Sequence, residues 1–316
     1  KGFGHVKRND IVVFNFPAGD TVALNVQNPS YDELVAQYGR EAIRLDKKTF
    51  GDVIYRPVDK RENYVKRCIG LPGDTIELRN NQVYIDGKPA KNPENMQFNY
   101  FVETDGSPLT EEQFRLMEVS KSDRILASNN GYFQDLMSFL GFEPIAPGQF
   151  NPVYHLPLTK KALAIAEKLP SVKKIVIEPD AWSGSTYPAW YKTGWSRDNF
   201  GPLWIPKKGA TIPLNERNIA LYGRCIKNYE NNTLEVKDGT YYINGKPETD
   251  YTFKYDYYWM RGDNRHNSAD SRSWGFVPED HIVGKPILIW LSLDKDRSLF
   301  DGGIRWNRLF RMVHPD

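Results

Sequence analysis

Apolar positions in this chain recur mostly in short alternating runs closed by Pro, Gly, Asn or Asp, the period-two pattern of half-buried strands. Val6–Phe16 combines a turn with a β-branched run that stops at Pro17, which predicts a strand. A second strand is predicted around Tyr64–Leu71. Thr75–Lys88 reads as a hairpin with turn residues at Asn80-Asn81 and Asp86-Gly87. Leu234–Pro247 repeats the same phrase, Tyr-Ile-Asn-Gly-Lys-Pro for Tyr-Ile-Asp-Gly-Lys-Pro, and similar hairpins recruiting similar turn dipeptides explain the echo better than duplication does. The most apolar run, Pro286–Leu293, is too short to span a bilayer and is expected to be a buried strand.

Helical spacing is confined to fewer places. Ser30-Tyr31-Asp32-Glu33 is a capping box, with Gly39 as the stop. Between the two hairpins the pattern changes: Thr110–Val119, Gly131–Leu140 and Thr159–Leu169 read as helices, followed by aromatic and proline-rich loops. The expected fold is therefore mainly antiparallel β, with an α/β insertion of mixed helices and loops. Residues 1–92 and 209–316 would form the β core, and 93–208 an inserted accessory region.

Composition changes this picture little. The chain has 316 residues, 40% hydrophobic and 13% aromatic, enough to bury a core, and 42 basic residues against 40 acidic ones give no polyanion-binding stripe. No nucleic-acid partner is expected. Cys68 and Cys225 fit equally a single disulfide or two lone buried thiols. The five histidines, His5, His155, His266, His281 and His314, lack the paired spacing of metal ligands, so no metal and no cofactor is expected, and His266 reads as a loop residue.

Two polar segments carry candidate chemistry. In Tyr64-Val65-Lys66-Arg67-Cys68-Ile69-Gly70-Leu71-Pro72-Gly73-Asp74, a lysine sits among apolar side chains. Burial there disfavours the ammonium form, and a neutral amine beside a serine hydroxyl can remove its proton. A lone strand lysine more often points to water. The second segment, Gly262-Asp263-Asn264-Arg265-His266-Asn267-Ser268-Ala269-Asp270-Ser271-Arg272-Ser273-Trp274-Gly275, is a loop rich in hydrogen-bonding side chains.

Together these segments closely resemble two signature boxes of bacterial type I signal peptidases, serine proteases with a Ser/Lys dyad. Lys7–Phe14 resembles a third box, with Asn9 where glycine is usual, and Val283–Lys295 with Gly303-Ile304-Arg305 resembles the closing segment. The resemblance covers about 6–92 and 209–306. It implies Lys66 as general base and Ser268 as the hydroxyl that orients it. Gly262, Asp263, Asn264 and Arg265 would shape the loop, and Asp270 with Arg272 would form a structural ion pair below the site. Val13, Tyr64, Val65 and Met260 would line pockets for small substrate side chains. The family's nucleophile lies in a Ser-Met-x-Pro-Thr box, and no Ser-Met pair occurs here, so it is expected upstream of Lys1 and residues 1–316 alone should be inactive.

The implied function is removal of signal peptides from exported pre-proteins after small residues. The implied place is the outer face of the bacterial cytoplasmic membrane, the partners signal peptides and the bilayer surface, and the state a monomer. The C-terminal mixture of Trp306, Leu309, Phe310 and Met312 with Arg305, Arg308 and Arg311 is either a membrane-contacting segment or a cover for the core. A self-cleaving repressor, a shorter relative joined to a DNA-binding helix, lacks its recognition helix here. A catalytically inactive exported protein binding peptide or carbohydrate through the aromatic loops at 182–204 is the alternative from another class.

Overall fold

The computed structural model describes residues 5–27, 30–180, 186–298 and 302–313. Its central sheet is antiparallel and runs Val277–Pro278, Tyr257–Arg261, Asn63–Gly70, Ile11–Asn15, Ile282–Gly284. The two predicted strands thus lie side by side, with Lys66 opposite Val12 and Tyr64 opposite Phe14, while Met260 faces Cys68 from the other neighbour. Val12, Phe14, Cys68, Met260 and Trp274 pack into one core beneath this sheet.

Both predicted hairpins form, Thr75–Arg79 pairing with Gln82–Ile85 and Leu234–Lys237 with Thr240–Ile243. The Asn80-Asn81 and Asp238-Gly239 turns have positive φ at both residues, the mirror-image geometry that matches strand twist and that Asn, Asp and Gly tolerate. Asn9 likewise holds φ at 70°, so the residue standing in place of glycine keeps the turn.

The helix after Ser30 spans Tyr31–Tyr38, with the Ser30 N–H donating to Glu33 Oε2 at 2.9 Å. The other three predicted helices are Glu111–Leu116, Gly131–Phe139 and Lys160–Ala166. Gln97–Thr104, Ile125–Leu126, Val153–Thr159 and Val172–Ile177 form a separate four-stranded sheet with apolar clusters of its own. Phe200–Trp204, within the range expected to be inserted, pairs instead with Thr75–Arg79.

One expectation fails. Pro286–Leu293 is not a buried strand: Leu288–Ile289 pairs with Arg311–Met312, Leu293 makes an isolated bridge to Ile304, and Ile287, Trp290 and Leu293 are exposed. The place beside Ile11–Asn15 is taken by Ile282–Gly284. Lys285 then ties to Asp10 at 3.1 Å, and Pro286, without an N–H, cannot extend the ladder. Cys68 and Cys225 are buried free thiols.

Candidate active site

Lys66 emerges from the middle strand of the central sheet, on the same face as Val12 and Tyr64. Its Nζ donates to Ser268 Oγ at 3.0 Å and lies 5.9 Å from the centre of the Tyr64 ring. Burial pushes its pKa below the ordinary lysine value; Asp270 and Asp263 work against that shift and Arg272 adds to it.

Ser268 reaches this position because the polar loop is fixed at many points. Arg67, next to Lys66 on the strand, grips Asp263 with two hydrogen bonds, Nε to Oδ1 at 2.9 Å and Nη2 to Oδ2 at 2.8 Å, and donates from Nη1 to the Asn9 carbonyl. Asn264 Oδ1 accepts from the Asn267 N–H, closing a local turn. Gly262 has no room for a side chain, since a β-carbon there would lie 2.0 Å from Ser268 Oγ.

Asp270 and Arg272 form the floor. The guanidinium meets both carboxylate oxygens, at 2.9 and 2.8 Å, and also donates to the Arg265 carbonyl at 2.6 Å. Asp270 additionally accepts from the Gly262 N–H at 3.1 Å. Burial alone would raise this carboxyl; the Arg272 charge and hydrogen bonds, the Arg261 charge and the Gly262 N–H bring it down to about 2.

The four expected pocket residues do not share one surface. Val13 and Val65 are register partners on one face, Val65 being exposed, whereas Tyr64 lies on the Lys66 face. Met260 is fully buried in the core. In the aromatic loops, 182–185 lie outside the described residues; beyond them Trp190 is exposed, but Tyr187 and Phe200 are core.

Sequence reasoning missed the company His266 keeps. The ring is buried beside Glu178 and Asp198, and His155 pairs with Glu178 at 2.7 Å. Single charged residues in loops far apart in sequence carry no periodic signal that could have joined them.

The arrangement as a whole is a partly desolvated lysine held against a serine by a rigid polar loop. A model of the family described as "Signal peptidase, peptidase S26" matches residues 1–134 and 208–291. The chain belongs to this signal peptidase family. Signal peptidase I of Buchnera aphidicola subsp. Acyrthosiphon pisum is 44% identical over 84 residues, 27% of this chain and 24% of that protein. The Haemophilus influenzae enzyme is 48% identical over 56 residues (18% and 16%), and that of Aquifex aeolicus 58% over 36 (11% and 14%). The chain thus matches less than a third of the length of each of these signal peptidases.

Proposed function

We propose that the protein is a membrane-associated serine endopeptidase that removes N-terminal signal peptides after small residues, with Lys66 as general base. The observation that carries this reading is the 3.0 Å bond between Lys66 Nζ and Ser268 Oγ, made by an amine whose burial favours its neutral form. A neutral Lys66 takes the proton of a nucleophilic serine as the serine oxygen attacks the scissile carbonyl. The resulting ammonium returns the proton to the leaving amine. Lys66 then activates a water molecule to hydrolyse the acyl-enzyme. Ser268 orients the amine, and Asp270 with Arg272 keeps the loop in place without taking part in proton transfer. The nucleophile is a serine outside residues 1–316, and these residues alone do not cleave.

The site works at the outer face of the bacterial cytoplasmic membrane. Among the described residues no helix is long and apolar enough to cross a membrane. Contact with the bilayer is assigned to the exposed ribbon of Leu288–Ile289 and Arg311–Met312 with its flanking Trp290, Trp306 and Phe310. A purely peptide- or carbohydrate-binding role would leave the desolvated Lys66 without a purpose.

Incubating a secretory precursor with the full-length protein and mapping the new N-terminus by mass spectrometry tests the reading. Cleavage after a small residue, lost in Lys66→Met, is expected; cleavage that persists in Lys66→Met overturns it.

A further inference from the structure

The loop that presents Ser268 is also held from outside the central sheet. The Gln97 N–H donates to the Asp263 carbonyl at 2.9 Å and the Arg265 N–H to the Gln97 carbonyl at 2.8 Å, so one residue of the separate four-stranded sheet clamps the loop backbone twice. Next to it, Phe98 meets the His266 ring edge-on, with centroids 5.0 Å apart. The Asn99 N–H then donates to His266 Nδ1 at 3.3 Å. A backbone N–H can only donate, so Nδ1 accepts and the ring hydrogen sits on Nε2.

Nε2 lies 3.3 Å from Asp198 Oδ2, within reach of its charge although off the line of a good hydrogen bond. Asp198 is fixed in turn: Arg197 Nε donates to it at 3.1 Å, and its own N–H donates to Asp180 Oδ1 at 3.0 Å. Glu178 joins through Arg197, His155 and Asn99 Nδ2. Asn99, Glu178 and Asp198 are buried, and the His266 side chain completely so. Burial would raise both carboxyls, but these partners hold Glu178 and Asp198 at about 2, so the brace stays charged through the neutral range.

Two observations distinguish this from ordinary packing. His266 is two residues from Ser268, the group to which Lys66 donates. Further, Glu178, Arg197 and Asp198 lie within 135–207, between the two stretches that the family model matches. Here a loop matched by the family is braced by side chains from outside that match.

We propose that His266 is a positioning residue for the Lys66–Ser268 pair, held in place by Asn99 and by Asp198 of the region between the matched stretches. The proposal rests on Lys66 being the base. A planar ring held by a hydrogen bond on Nδ1 and by the Asp198 carboxylate beside Nε2 fixes the His266 backbone, and two peptide units further on that constraint sets where Ser268 Oγ meets Nζ. The Asn264–Asn267 turn shapes the loop locally, and the brace sets its placement over Lys66.

The test uses the full-length protein and a peptide with alanine on the N-terminal side of the scissile bond. His266→Ala is expected to lower kcat by ~10- to 100-fold with KM changing less than about two-fold, the pattern of a misplaced catalytic group. His266→Asn, whose amide oxygen can accept from the Asn99 N–H, is expected to recover most of the loss. Asp198→Asn added to His266→Ala should cost kcat nothing more, because Asp198 acts through the ring. Parent kcat in His266→Ala overturns the proposal; so does a loss that His266→Asn does not relieve and that tracks the melting temperature. Lys66→Met, run alongside, separates the two ideas. If it is inactive while His266→Ala turns over like the parent, Lys66 remains the base and only the brace is wrong; activity surviving in Lys66→Met removes both.

Discussion

A β-carbon on Gly262 would lie 2.0 Å from Ser268 Oγ and 2.6 Å from Ser268 Cβ, so the absence of a side chain at one residue is what lets the other reach Lys66. Gly262→Ala is therefore expected to push Ser268 away while leaving the core strands intact. A displacement of this kind costs on the order of 100-fold in kcat. Steady-state kinetics of the full-length variant, with a thermal melt beside them, check this; an active Gly262→Ala enzyme would mean that the Ser268 contact is dispensable.

Lys66 sets the pH dependence. In the proposed role its neutral form is the base, so kcat/KM should fall as pH drops through the Lys66 pKa, and burial places that acid limb below the ordinary lysine range. Lys66→Arg should be inactive at every workable pH, because a guanidinium does not give up its proton. Lys66→Met should also be inactive yet melt at the parent temperature or above, since it removes the cost of desolvating an ammonium. A full-length Lys66→Arg enzyme with a parent-like pH–rate profile would exclude Lys66 as the base.

What the sequence made legible was local or carried by motif. The Asn80-Asn81 and Asp238-Gly239 turns, the Ser30 cap and the pairing of Lys66 with Ser268 all follow from short stretches whose chemistry admits few conformations. Pro286–Leu293 was misread because apolarity alone does not say whether a sheet edge is free, and Ile282–Gly284 had already filled it. Met260 fell in the core because the alternation of its strand points it to Val12 and Phe14. The Asn99–His266–Asp198 brace joins residues far apart in the chain, and only the folded chain brings them together.

Asp270 makes an acid-stability prediction. Its folded pKa of about 2 lies below the usual value of 3.8, so its contribution is complete above the unfolded value and is lost as pH falls from ~4 through ~2. The difference corresponds to about 2 kcal/mol. Asp270→Asn leaves Arg272 buried without its counter-charge, at a cost of about 3 to 5 kcal/mol near neutral pH. The variant should melt lower at pH 7 and lose less stability on acidification than the parent. Melting curves from pH 7 to 2 measure both; parallel curves for the two proteins would show that the pair contributes nothing in this window.

The proposed membrane contact rests on the C-terminal ribbon. Trp306 and Phe310 are each 69% exposed, Met312 pairs with Leu288, and Arg308 and Arg311 interleave with them. Had this segment served as a cover for the core, its large apolar side chains would be buried. Exposed as they are, they can enter the headgroup region while the arginines meet lipid phosphates, each worth about 1 kcal/mol at an anionic surface. Residues 1–316 should co-sediment with vesicles containing anionic lipid, less so at high salt. A Trp306→Ser/Phe310→Ser double variant should bind several-fold more weakly with an unchanged melting temperature. Equal binding by the two proteins, or none by either, would rule out the ribbon as the contact.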